Sequence, residues 1–215
     1  MSYIVLSNIN KNFRGTQVLQ DINLELGKGK CYGFTGINGS GKTMLLRIIA
    51  GLVIPTSGKV KIGEDVLHEN ISFPKNMGLI IEHAAFLDHL SGFDNLLALA
   101  KINNKIGKNE IIRTMSLLSL NFKNKTPVKK YSLGMKQRLS IAQAIMEKPE
   151  LIILDEPFNG LDEDGVTVVR NILLNLKAEG KTLIITSHNK EDIDMLCDVV
   201  YKLENGKIIG ETQRI

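Results

Sequence analysis

Eight residues, Gly36 to Thr43, read GINGSGKT, a glycine-rich run that closes on a lysine and a threonine. The run fits the pattern G-x-x-x-x-G-K-[ST], and it stands where that pattern has meaning, after the apolar stretch KCYGFTG (30–36) and before the helically spaced KTMLLRIIAG (42–51). Gly36, Gly39 and Gly41 let the backbone amides turn inward around an anion, Asn38 and Ser40 complete the loop, and a helix N-terminus adds partial positive charge. Lys42 would contact the β- and γ-phosphates of a nucleotide, and the Thr43 hydroxyl would ligate Mg²⁺.

A magnesium site of this kind needs an acid at the end of another buried strand, and LIILDEP supplies Asp155 and Glu156 in succession. Side chains alternate along a strand, so the two cannot share one task. Asp155 is expected to hold Mg²⁺ through water, and Glu156 to face the attacking water as a base or orienting group. A third acid, Glu82, ends the apolar run LIIEH (79–83).

These residues must be held by a core, and 215 residues with 43% hydrophobic content are ample for one. Short β-rich runs alternate with helical patterns, without repeats or low-complexity tracts, which is an α/β pattern. YIVLSNI, DINLEL, KVKIG, NMGLII, LIILD and TLIITSH read as strands, with two more around DVVYKL and GKIIG; PTSG (55–58) reads as a turn. From 91 to about 120 the spacing turns helical, predicting a helical lobe set against the sheet, and MKQRLSIAQAIMEK (135–148) reads as an amphipathic helix closed by Pro149. Cys31 and Cys197 match no metal-ligand spacing and read as reduced, buried thiols, favouring the cytoplasm. No stretch has the roughly 18 to 20 apolar residues needed to cross a bilayer, and the N-terminus lacks a signal-peptide core.

The net charge of +4 is unevenly placed: residues 101–136 carry nine Lys or Arg against one acid. A basic lobe can mean nucleic acid, an anionic lipid face or a solvated surface. Aromatic residues do not alternate with the lysines as a base-stacking platform requires, so no nucleic acid is expected as a partner.

Taken together and in order, these motifs resemble the ATP-binding cassette (ABC) ATPases over essentially the whole chain. YSLGMKQR (131–138) resembles the family signature, with Ser132 and Gly134 at its serine and second-glycine positions, and Leu133 and Met135 where the family has glycine and glutamine. NGLD (159–162) is similar to the loop that crosses the family's dimer interface, with Asp162 as its acid; His188 matches the switch histidine at the γ-phosphate; and Phe13, 23 residues before Gly36, stands where the family stacks an aromatic ring on adenine. The resemblance implies a P-loop fold of mixed sheet, with an antiparallel β subdomain and an inserted helical subdomain at about 84–148. It implies one nucleotide-binding domain over 1–215. It also implies ATP and Mg²⁺ as ligands, a homodimer that sandwiches ATP between one chain's phosphate loop and the other's signature, and a separate integral membrane permease. The location implied is cytoplasmic, peripheral on the inner face of the cell membrane.

Glu82 departs from the family, which has glutamine at this hinge between sheet and helical lobe. A carboxylate is expected to engage Mg²⁺ more strongly than an amide does, since a pair of unit charges at about 4 Å is worth about 4 kcal/mol at an effective dielectric near 20. Glutamate here, with the SLGMKQR signature, resembles the subgroup that energises export of, or immunity to, peptide antibiotics of the lantibiotic and bacitracin kind. A soluble cassette ATPase acting on DNA or the ribosome is the alternative, disfavoured by the single cassette and the short spacing between Thr43 and Tyr131. No C-terminal regulatory domain is expected, and the transported substrate is not legible.

Overall fold

A computed structural model of the chain describes residues 2–82 and 84–214; His83 of the LIIEH run and the first and last residues lie outside them. Two sheets carry the fold. The first is antiparallel, with β1 (Ser2–Phe13), β2 (Thr16–Gly27), β4 (Ser57–Ile62) and β5 (Asp65–Val66) in the order β2-β1-β4-β5. In the second, β3 (Cys31–Thr35), β6 (Met77–Ile80), β7 (Leu151–Leu154), β8 (Thr182–Thr186), β9 (Val199–Glu204) and β10 (Lys207–Gln213) run β10-β9-β3-β8-β7-β6. Every neighbouring pair from β9 to β6 is parallel, and β10 closes the edge antiparallel to β9. Strands β7 and β8 are buried along their whole length, as strands covered on both faces must be, which is why their sequences run apolar without alternation.

Helix α1 (Lys42–Ile49) lies in the core between the two sheets. Its Leu45, Leu46, Ile48 and Ile49 join Ile4, Leu6 and Val60 of the first sheet and Phe34, Leu151, Ile153 and Ile184 of the second in one apolar cluster. On the opposite face of the second sheet, Ile152, Leu154, Leu183 and Ile185 share an apolar cluster with α2 (Gly92–Asn103), α3 (Lys108–Leu117), α4 (Leu133–Ile145), α5 (Glu163–Ala178) and α6 (Lys190–Leu196), in which α4 packs on β6 and α2 and α3 pack on α4. Helices α2 and α3 thus lie in the stretch of 91 to about 120 read as a helical lobe, and α4 lies farther on, within the 84–148 insert that the resemblance implies.

Several boundaries differ from the sequence reading for local reasons. Strand β4 starts at Ser57, inside the run read as a turn, because Asn10 pairs with Ser57 across the sheet. Helix α4 starts at Leu133 rather than Met135, because the Ser132 hydroxyl caps it by accepting from the Met135 amide at 3.2 Å. In the basic lobe, the ammonium groups of Lys123 and Lys125 sit over the rings of Phe122 and Phe93, at 5.8 and 5.9 Å. Both rings are partly buried against the helical core.

Cys31 and Cys197 are buried free thiols with sulfurs 3.8 Å apart. The hydrogen-bonded Cys197 thiol beside it and the loss of water push the Cys31 thiol well above its ordinary range, which leaves Cys31 a poor nucleophile. No helix among the described residues is long and apolar enough to cross a membrane.

Candidate functional site

The parallel strands β3, β7 and β8 end side by side, and the residues just past their ends form the site. After β3 the chain turns through Gly36, whose φ of 147° and lack of a side chain are both required: a Cβ there would overlap the Leu203 carbonyl oxygen and fall 2.7 Å from Ser40 Oγ. Gly41, at φ 106°, then begins α1 without any capping side chain and without an acid in the first turn. The amides at this helix start are left to an outside acceptor, the arrangement that favours an anion.

Lys42 folds back along the loop, its ammonium donating to the carbonyls of Gly36 at 2.7 Å and Ile37 at 3.1 Å. Ser40 is buried, yet its hydroxyl has no partner among the described residues. A buried lysine satisfied only by loop carbonyls, and an orphaned hydroxyl beside it, fit a site built for phosphate oxygens.

Thr43 donates its hydroxyl to Asp155 Oδ2 at 2.7 Å, bringing the first helical turn to the end of β7. Asp155 is itself buried, and its other oxygen accepts from Thr186 at 2.6 Å. Thr186 was not singled out from sequence; its place at the end of β8, directly before Ser187 and His188, was the available signal. No cluster of three or more acidic, histidine or cysteine side chains suited to a metal occurs among the described residues. One hydroxyl and one carboxylate, completed by phosphate oxygens and water, suit Mg²⁺, which keeps several waters and needs no all-protein cage.

Glu156 diverges from Asp155, but the pleat is not the cause: β7 ends at Leu154, and Glu156 takes a left-handed backbone with φ 50°. Its amide donates to Thr186 Oγ1 at 2.8 Å. The carboxylate is mostly buried and lies 3.0 Å from Nε2 of the half-exposed His188, without a hydrogen bond between the two. Burial raises the Glu156 carboxyl above its ordinary value, while His188 and Lys42 hold part of that rise back. Asn38, Gly39, Gly41, Lys42, Thr43, Asp155, Glu156 and His188, with Val18 and Met44, line one cleft of about 300 Å³.

Other residues singled out in the sequence lie elsewhere. Phe13, at the end of β1, is 52% exposed beneath the Arg14 guanidinium, and it does not line the cleft. Glu82 does not line the cleft either: it adopts a left-handed backbone with φ 60° and pairs with Arg47 of α1 at 2.6 Å, in solvent. Ser132 caps α4, Met135 packs against the helical core, and Leu133 is 59% exposed. Asp162 caps α5 by accepting from the Gly165 amide at 2.9 Å.

A family model described as "ABC transporter" matches residues 19–159. The chain is 48% identical over 205 residues to an uncharacterized ABC transporter ATP-binding protein of Bacillus subtilis, covering 95% of this chain and 94% of that protein. It is 39% identical to a bacitracin transport ATP-binding protein of Enterococcus faecalis (98% of this chain, 70% of that protein) and 35% identical to a lantibiotic transport ATP-binding protein of Streptococcus pyogenes (97% and 90%). Among solved structures, a dimeric bacterial ABC transporter cassette superposes with a TM-score of 0.89 at 22% identity, covering 98% of both chains, which speaks for the fold. The chain belongs to the ABC transporter family, as an ATP-binding subunit that couples ATP hydrolysis to transport.

Proposed function

We propose that this chain is the motor of a bacterial transporter that exports, or confers immunity to, a peptide antibiotic of the bacitracin or lantibiotic kind. The observation that carries the ATPase half of the reading is the convergence of Lys42, Thr43, Asp155, Glu156 and His188 on one cleft at the ends of β3, β7 and β8. The antibiotic half is supported by the names of relatives at 35–39% identity.

In this reading the amides of the phosphate loop and Lys42 bind the β- and γ-phosphates. Bound Mg²⁺, held by Thr43 and Asp155, would supply charge neutralisation on the phosphate oxygens. Glu156, kept from full solvation, takes up a proton from the attacking water, and His188 beside it faces the γ-phosphate. Ser132 and Gly134, at the start of α4, would complete the site of a second copy, so that ATP bridges two chains and its loss releases them. Conformational work then comes from the difference in ATP affinity between the closed and open pair. The whole chain acts as one nucleotide-binding unit alongside a separate membrane permease, and the lysines of residues 101–136 add attraction to an anionic leaflet of about 1 kcal/mol each when close.

The test is to tag the chain in its host, solubilise membranes gently and identify what co-purifies. A multi-spanning protein whose deletion raises sensitivity to bacitracin or a lantibiotic is the expected result. Recovery of ribosomal or DNA-bound proteins, with the chain missing from membranes, would overturn the transport assignment. Unchanged antibiotic sensitivity after deletion of a recovered permease would overturn the substrate class alone.

A further inference from the structure

The signature run contains a side chain that neither the phosphate site nor the dimer reading uses. Gln137, on the second turn of α4, is 5% exposed. Its amide nitrogen donates to the carbonyls of Pro157 at 3.0 Å and Glu156 at 3.3 Å. A buried amide spent on two loop carbonyls holds that loop to the helix, and the loop includes the carboxylate placed beside His188.

The Glu156 peptide is therefore gripped from both sides. Thr186 of β8 takes its N–H at 2.8 Å, and Gln137 of α4 holds its C=O. Such a clamp has work to do, because a glutamate at φ 50° is in a left-handed conformation that costs about 1 kcal/mol or more when nothing holds it. Released from the α4 side, Glu156 is free to relax toward an ordinary backbone, carrying its carboxylate away from the cleft.

A second contact joins the same helix to the far end of the same loop. Gly160 packs so closely on Leu133 that a Cβ at Gly160 would lie 2.5 Å from the leucine Cγ and Cδ2, and a Cβ at Gly134 would lie 2.9 Å from the Gly160 carbonyl oxygen. Helix α4 thus touches the 156–160 segment at its first turn and at Gln137, and a displacement of the helix cannot leave Glu156 behind.

We infer that Gln137 is a positioning residue for Glu156, and that α4 mechanically joins the Ser132 end of the chain, which would meet a second copy's nucleotide, to the chain's own hydrolytic carboxylate. This rests on the reading of Glu156 as the group that acts on water. Each nucleotide site would then report its closure to the other through α4.

The experiment is a double-mutant cycle on the full chain with ATP and Mg²⁺. Gln137→Met and Gln137→Leu keep the volume and remove both donors. Each is expected to lower kcat about tenfold with KM and ATP affinity within twofold of the parent, since a small misplacement of a reacting group is costly. In the Glu156→Gln background the same changes should have no further effect on the residual rate. Parent-like kcat in either Gln137 variant, an additional loss in the double variant, an equal loss of ATP affinity, or failure of both variants to fold would each overturn the inference. A Glu156→Gln chain that still turns over at the parent rate would instead overturn the role of Glu156, a distinct failure.

Discussion

Thr186 fixes Asp155: its hydroxyl donates to Asp155 Oδ1 across 2.6 Å at a position with no solvent exposure, and the same oxygen accepts from the Glu156 amide. One hydroxyl thereby sets the carboxylate that would share Mg²⁺ with Thr43 and the backbone of its neighbour. Thr186→Val keeps the shape and removes both bonds. It should cost about 1–3 kcal/mol in urea unfolding and lower kcat more than it raises KM.

Glu156→Gln should reduce turnover by about a hundredfold or more while ATP still binds, as measured by single-turnover hydrolysis and by equilibrium titration with a fluorescent analogue.

The same variant has a signature in stability against pH. Burial raises the Glu156 carboxyl above its ordinary value of 4.5, so the folded state holds this proton more tightly than the unfolded chain does. The resulting stabilisation is complete below pH 4.5 and is lost as pH rises through the folded-state value. Glu156→Gln has no proton to lose. Its thermal midpoint should exceed the parent's at pH 8, and the two should converge near pH 4; a constant offset would show that burial of the charge is not the cause.

Gly36→Ala tests the loop. Its Cβ would run into the Leu203 carbonyl and crowd Ser40 in a backbone region that side-chain-bearing residues avoid. A loss of about 3 kcal/mol or more is expected, with loss of ATP binding in whatever fraction remains folded.

Glu82→Gln separates two places for one carboxylate. The pair with Arg47 is largely exposed and should be worth under about 1 kcal/mol, so the fold should melt within a degree or two of the parent. We expect the Mg²⁺ dependence of turnover to move, on the view that Glu82 leaves Arg47 when nucleotide and metal bind. Superimposable Mg²⁺ titrations would mean that it stays with Arg47.

The phosphate loop and the strands that carry it were legible because their signals are local: a fixed glycine spacing, and apolar runs too short for helices. The subdomain plan came from the family resemblance, and the two sheets and the covering helices agree with it. What sequence could not give was set by contacts across long separations. Within TLIITSH only its place before Ser187 and His188 sets Thr186 apart from Thr182, and its role depends on a carboxylate 31 residues earlier. The partner of Glu82 lies 35 residues before it on α1, and the divergence of Asp155 and Glu156 is a left-handed turn that the motif alone reads as pleat. Helix α4 starts two residues before the 135–148 run because Ser132, at the signature's serine position, also caps it.

Strand β7 faces two interiors at once, with Leu151 and Ile153 in the cluster around α1 and Ile152 and Leu154 in the cluster under the helices. Loss of one codon from this run would not merely shorten the strand. Because side chains alternate, every residue beyond the gap would trade one interior for the other, and Asp155 would turn its back on Thr43. Register within four residues is therefore inseparable from the aim of the acid that follows them, and this stretch should tolerate substitutions of similar volume far better than any insertion or deletion.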